Sequence, residues 1–237
     1  MSVPIYNMSH YEFRRRLRRT RRAIIPVGSL EQHGAHLPVS TDCLISERIA
    51  TLVADEVKCF ILPVISYGIS FEHLPMFNVS LSNSTLSDVL CEVCVSLSSQ
   101  GIKDIIFING HHGNTGVLQY ISQNLDAKFR TNLGIFAINY WSGMHRELDH
   151  AGEVETSLVL AISPQLVRMD KAEPNLRKLS KSRIAYSTIT TIPGSFPKVT
   201  GNGVWGDPRS ASKEKGETLL KEIVGNLVHI ISEFPQQ

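Results

Sequence analysis

Short apolar runs alternate with longer stretches of helical periodicity along most of this chain, and that alternation narrows the possible folds more than any other feature. The clearest run, Asp104–Ile108 (DIIFI), is apolar at its last four positions, as in a strand covered on both faces. Ala23–Val27 (AIIPV), Phe60–Val64 and Gly134–Asn139 read as further strands. Between them, Thr41 or Ser40 can cap a helix through about Val57, with Leu44, Ile45, Ile49, Leu52 and Val53 inward. Ser84 can cap one through about Ser99, Thr115–Leu125 and Glu153–Ile162 read as helical, and Ser210 can cap a last helix reaching Phe234. Residues 171–208 are polar and rich in turn residues. Strand and helix in alternation predict βαβ units and a parallel sheet between helix layers. Right-handed crossovers then gather the C-terminal ends of the strands on one rim, where open α/β sheets bind ligands.

Several classes are excluded. Hydrophobic residues make up 42% and charged residues 19% of the 237, which does not suit a disordered or fibrous chain. No apolar run reaches the roughly 18 residues of a membrane span, and the polar, Arg-rich N-terminus predicts no secretory signal. No stretch reads as a linker, so one domain over 1–237 is expected. Four cysteines without framework spacing suit a reducing cytoplasm. Cys91 and Cys94 could form a redox pair, but they lie in a helical apolar stripe with Leu86, Val89, Leu90, Val93 and Leu97, where Cys acts as a small hydrophobe.

The net charge of +2 hides an asymmetry. Residues 14–22 read RRRLRRTRR; without these seven arginines the chain holds 17 bases against 22 acids. A nucleic-acid surface spreads its bases and interleaves aromatics, whereas this cluster is local, so no nucleic-acid partner is expected. It reads either as a solvated first helix, with Tyr11, Phe13 and Leu17 inward, or as a phosphate or subunit contact.

The chemistry-bearing residues follow the strands. GSLEQHGAHLPVSTD (28–42) follows the first, NGHHGN (109–114) the one at 104–108, and HAGEVETS (150–157) the one at 134–139. Five of the nine histidines, His33, His36, His111, His112 and His150, lie in these segments. Glu31 and His33, two apart, leave an extended backbone on the same side. Asp42 begins a helix, and a carboxylate can bridge two cations. Mixed imidazole and carboxylate ligands suit Zn, Mn or Fe(II). Taken singly, Glu31 could be a surface charge, Asp42 a helix cap and each histidine an ordinary side chain. Jointly, three strand ends would have to gather them by accident. The glycine spacing 110, 113, 116 resembles a phosphate loop but lacks its Lys-Ser/Thr ending, and the nucleophile-elbow pattern is absent at Ser29.

The segments PVGSLEQHGAHLPVSTD (26–42), INGHHGN (108–114) and HAGEVETS (150–157) resemble the creatininase (creatinine amidohydrolase) family in order and spacing, over roughly residues 20–170. The resemblance implies a three-layer α/β/α sandwich with a mostly parallel sheet, two divalent metal ions, and hydrolysis of a non-peptide C–N bond in a small-molecule amide, usually in a homo-oligomer. It implies that Glu31 and His111 hold one metal, His33 the other, and Asp42 bridges both. Creatininase itself carries a ligand Glu where this chain has Gly113, so Glu155 is expected to complete the second site, with Glu153 as the alternative. His150 matches the family's proton-transfer histidine. His112 is expected to contact substrate, Ser29 to contact substrate or support a ligand, and Asn114 to tie its loop together. The family also holds archaeal deformylases acting on a formylaminopyrimidine nucleotide, on the route to flavin and deazaflavin cofactors, and peptide-cleaving members of the mycofactocin pathway. The NGHHGN form looks closer to these, so a formamide hydrolase is the leading expectation and creatinine the alternative. A two-metal phosphoesterase and a non-catalytic metal-binding protein are more distant alternatives.

Overall fold

The computed structural model describes residues 4–175 and 192–234, so part of the turn-rich stretch 171–208 lies outside the described residues. The strands are β1 (Arg22–Val27), β2 (Leu30–Glu31), β3 (Phe60–Ile61), β4 (Asn78–Val79), β5 (Asp104–Asn109) and β6 (Gly134–Asn139). Four of them form a parallel sheet in the order β3-β1-β5-β6, while β2 and β4 form a separate antiparallel pair. The helices are α1 (His10–Leu17), α2 (Thr41–Val57), α3 (Asn83–Ser99), α4 (Thr115–Gln119), α5 (Ile121–Phe129), α6 (Glu153–Ile162), α7 (Ser195–Thr200) and α8 (Lys213–Ser232).

Side chains alternate across the central strands, as the pleat requires. Ile24, Ile106 and Ile108 enter one core with Ile45, Ile49 and Val53 of α2, Leu158 of α6 and Ile223 of α8. Ala23, Ile25, Val27, Ile105 and Phe107 enter the other with Leu86 and Leu90 of α3, Val117 of α4 and Ile121 of α5. The expected parallel sheet between two helix layers is therefore observed. Burial on both faces is why β5 reads as an unbroken apolar run. Each such Ile contributes about 1.5–3 kcal/mol of burial.

Local differences have local causes. Within Phe60–Val64 the regular ladder covers only Phe60 and Ile61, and the chain then follows β1 through Leu62 N–H to Ile24 O and an isolated bridge between Ile65 and Val27. Ser82, not Ser84, caps α3: its hydroxyl accepts the Thr85 N–H at 3.1 Å, and Ser84 lies inside the helix. Ser212 likewise caps α8 in place of Ser210. The helix expected over Thr115–Leu125 is split at Tyr120. Phe13 and Leu17 pack inward as expected, but Tyr11 turns to solvent at 73% exposure. Leu44 and Leu52 are only half-buried and Val89 faces out. Cys91 and Cys94 are buried free thiols, and burial pushes the Cys94 thiol up to about 12, as befits core packing. No described helix is long and apolar enough to cross a membrane.

Candidate metal centre

The segments that follow β1, β5 and β6 meet at the C-terminal rim. Glu31 stands on β2, held by pairing with Asn78 and by its N–H to Val39 O at 3.0 Å. Asp42 lies in the first turn of α2, packed against the β5 loop so closely that a Cβ on Gly110 would fall 2.4 Å from the Asp42 carbonyl. Only glycine permits that approach.

Two imidazoles are oriented by backbone carbonyls. His33 Nδ1 donates to Glu31 O at 3.1 Å, which leaves Nε2 facing Asp42 Oδ1 at 3.1 Å and Glu155 Oε2 at 3.5 Å. His111 Nε2 donates to Ile69 O at 2.7 Å, which leaves Nδ1 facing Asp42 Oδ2 at 3.2 Å and Glu31 Oε2 at 3.3 Å. A neutral ring so anchored points a lone pair at carboxylate oxygens. That arrangement is repulsive unless a proton or a cation lies between, and an outer carbonyl on the second nitrogen is the usual support of a metal-binding histidine. With protons as the only cations, burial lowers His33, but Asp42, Glu155 and Glu31 overcome it and raise it to about 10. Burial also opposes charge on His111, yet Glu31 and Asp42 raise it well above the usual range. Glu31 is pushed up by burial but pulled well below its ordinary value by His111 and His73.

Two ligand sets share Asp42. Glu31, Asp42 and His111 can each offer an atom within 4.8 Å of the others, and so can His33, Asp42 and Glu155. Glu31 Oε2 and Asp42 Oδ2 are buried without a hydrogen-bond donor of their own, and Glu31 Oε1 faces the His73 ring at 3.1 Å. Buried carboxylate oxygens with no donor are costly, so this donor set fits a pair of divalent cations. Glu153, the alternative to Glu155, is turned away. It pairs with Lys215 at 2.6 Å and Arg146 at 3.6 Å, as residues two apart on a helix point to different sides. Glu155 keeps one further contact, accepting the Ala151 N–H at 2.6 Å, and burial pushes its carboxyl up to about 8.

His150 lies over His33 with ring centroids 4.2 Å apart. Its Nε2 donates to Gln32 O at 3.0 Å, so Nδ1 turns toward the centre, 3.7 Å from Glu31 Oε1. Burial, then the charges of His33 and His73, hold it well below the usual imidazole range. His112 lines the same cleft beside Trp141, at 6.0 Å between centroids, and burial lowers it to about 4. Ser29 is fully buried outside the cleft lining, sharing a 2.6 Å hydrogen bond with Ser70. It braces the loop after β3. Asn114 ties loops together as expected, donating to Gly28 O at 3.0 Å and accepting the Ile69 N–H at 3.1 Å. His36 is buried away from the cleft against Thr156 Oγ1 at 3.0 Å.

Gly113, where the resemblance leads one to expect a Glu, is tightly enclosed. A Cβ there would meet Ile69 O at 2.1 Å and His111 Nε2 at 2.5 Å, so no side chain fits. Ile69 begins a segment that sequence reasoning missed. Glu72 and His73, in a short turn after β3, are buried in the cleft. Glu72 is pushed up by burial. His73 Nε2 stands 3.1 Å from Glu31 Oε1. Gln32 sets that ring. The Gly34 N–H donates to Gln32 Oε1 at 3.0 Å, which fixes the amide, and Gln32 Nε2 donates to Gly203 O at 3.0 Å and His73 Nδ1 at 2.8 Å. An acid and an imidazole beyond a strand end was the available signal; Phe196, which also lines the cleft, offered none.

A family model described as creatinine amidohydrolase matches residues 6–231. The creatinine amidohydrolase of Pseudomonas putida is 25% identical, over 90% of this chain and 89% of its own length. The mycofactocin precursor peptide peptidase of Mycobacterium ulcerans is 31% identical over 89% and 84%. A solved structure described as creatininase with Mn covers 100% of both chains with a TM-score of 0.86 at 23% identity, a likeness of fold. The formylaminopyrimidine nucleotide deformylase of Methanococcus voltae matches only 46% of this chain and 42% of its own, at 30% identity. With a family model spanning nearly the whole sequence, and the strand-end segments meeting in one carboxylate–imidazole cluster, the chain belongs to the creatininase family of metal-dependent amidohydrolases.

Proposed function

We propose that this protein hydrolyses the C–N bond of a compact amide at a two-cation centre, with a formamide as the leading substrate class. The observation that carries this reading is Asp42, which turns one carboxylate oxygen to His33 and the other to His111 and so belongs to both ligand sets. In this reading Glu31, Asp42 and His111 hold one cation, and His33, Asp42 and Glu155 the other. Fe(II), Zn and Mn all accept such ligands. Solved creatininases described with Mn and as a Zn-Zn type support the choice. Two such cations supply an activated water and polarise the amide carbonyl.

The chain's own residues do the rest. His150, anchored through Nε2, has Nδ1 available to carry a proton to the leaving nitrogen. His73, oriented by Gln32, steadies Glu31. His112 and Trp141 flank the approach, and Phe196 packs tilted against His73 and edge-on to His150, at 4.7 and 4.8 Å between centroids, shielding that side from water. This crowding favours a small acyl group, which is why a formamide comes first. The Arg14–Arg22 cluster offers no phosphate contact to a nucleotide here. Arg22 opens β1 beside Asp104 at the start of β5, on the rim opposite the centre.

The deciding experiment is anaerobic purification, metal analysis, and a panel of a formylaminopyrimidine nucleotide, creatinine, a short peptide and a phosphate monoester. About two metal ions per chain with amide turnover is expected. Turnover of the phosphate ester alone would replace this reading with a phosphoesterase, and metal without turnover of any amide would make it a binding protein. We further propose a cytoplasmic homo-oligomer. The buried free thiols suit a reducing compartment, and Tyr67, Leu74 and Phe77 form exposed apolar surface on the loop beside the centre.

A further inference from the structure

The Arg-rich segment is not used by the metal centre, and its surroundings are concave. Two of its arginines are structural. Arg16 donates to Cys59 O at 2.8 Å and lies over the Phe60 ring at 5.5 Å, while Arg22 pairs with Asp104 at 3.5 Å. The other five, Arg14, Arg15, Arg18, Arg19 and Arg21, are exposed, and among the described residues no carboxylate stands within 4.0 Å of them. Arg15, Arg16, Arg19 and Lys58 line a cavity of about 450 Å³, and Arg18, Arg21 and Arg22 line a second that shares Arg19 and Lys58 with the first. The one acid in the first cavity, Glu12, is engaged by the Ser9 N–H at 2.7 Å and the Ser9 hydroxyl at 2.8 Å.

An ordinary helix end accounts for part of this. Cations are favourable in the last turn of α1, where Arg14, Arg15 and Arg16 lie. That effect does not reach Arg19, Arg21 or Lys58, and it does not make a cavity. Arg14 and the C-cap Arg18 are four apart at the end of α1, a spacing that sets like charges side by side, and Arg19 and Arg21 follow in the turn beyond. Guanidinium groups converging on a hollow match phosphate oxygens through paired N–H donors, and one bound polyanion would relieve several repulsions together. The patch is local, which suits a small multivalent anion better than a polymer tracked along its backbone.

We propose that the hollow between the end of α1 and the start of β3 is a binding site for a small ligand bearing two or more phosphate groups. It lies across the sheet from the metal centre and stands independently of the amidohydrolase reading. The probe is inorganic tripolyphosphate, titrated calorimetrically into the full-length, metal-loaded protein at two salt concentrations. Arg15→Gln/Arg19→Gln is the rim variant, and Asp42→Asn controls for phosphate captured at the metal centre. Saturable binding to the wild type is expected, weakened by added salt, retained in Asp42→Asn, and weakened about tenfold or more in the double variant. Circular dichroism confirms that the variant is folded. The proposal is overturned if the double variant binds as tightly as wild type, or if Asp42→Asn abolishes binding. It is equally overturned if only a long oligonucleotide binds, which would make the rim a polymer surface. Absence of binding with a fall in oligomer mass in the double variant would make it a subunit contact.

Discussion

Asp42 offers an oxygen to each of two imidazoles, so one substitution disrupts both ligand sets. Asp42→Ala is expected to lose both metals and turnover together, read by elemental analysis beside an amide assay; full metal content in that variant would refute the bridging role. The two nearby glutamates separate cleanly. Glu155→Gln should lower metal content toward one ion per chain, whereas Glu153→Gln should leave it unchanged, because Glu153 pairs with Lys215 and Arg146 at the surface. His150→Ala should keep its metal and lose turnover by about 10²–10⁴-fold, the usual contribution of positioned proton transfer. Equal loss of metal in His150→Ala would instead make His150 a ligand, a role open to it by its grouping with Glu31 and His33. At this scale Glu31, His33, Asp42, His111 and His150 were legible from chain order, because strand ends in a parallel sheet share a rim. The surroundings of Ser29 were not legible, because its hydroxyl pairs with Ser70, 41 residues away.

At the scale of elements, the centre rests on close contact between α6, which carries Glu155, and α8. A Cβ on Gly216 would come 1.8 Å from the Ser157 carbonyl. Gly216→Ala should therefore push α8 off α6 and destabilise the fold by about 1–3 kcal/mol. For a chain of this size that is a fall in melting temperature of about 2–4 °C per kcal/mol. An unchanged melting temperature would mean that the two helices part without cost. Periodicity located α2, α6 and β5 almost to the residue, since each buries a face that the pattern itself records. It missed β2 and β4, two residues each, whose pairing depends on a loop closing over the rim.

For the whole molecule, the metal-free centre ties stability to pH on both sides. His33 is raised from 6.5 to about 10, so its stabilising proton is fully present below about pH 6.5 and is lost as pH climbs through 10. His36 and His112 are lowered to about 4, largely by burial. The unfolded chain protonates these two first, so their contribution falls as pH drops from about 6.5 to 4. Glu155, raised from 4.5 to about 8, adds a loss as pH rises through 8, so urea midpoints of chelator-treated protein should be highest between about pH 4.5 and 6.5 and fall on either side. Added metal should raise the midpoint at neutral pH and flatten the alkaline limb, because a cation that binds only the folded state takes the place of the proton. An alkaline limb that stays level without metal would show that His33 is not held protonated.

The alternation of runs along the chain determined the parallel sheet, its two helix layers and the rim on which three motifs converge, because burial on one or two faces imprints a local period that needs no knowledge of distant contacts. Tertiary structure decided the remainder. It brought Glu72 and His73 into the cleft, paired Ser29 with Ser70, left Gly113 no room for a side chain and set the arginines across the sheet from the metal centre. Each of these depends on which loop folds against which strand end, a matter of long-range packing that no local pattern encodes.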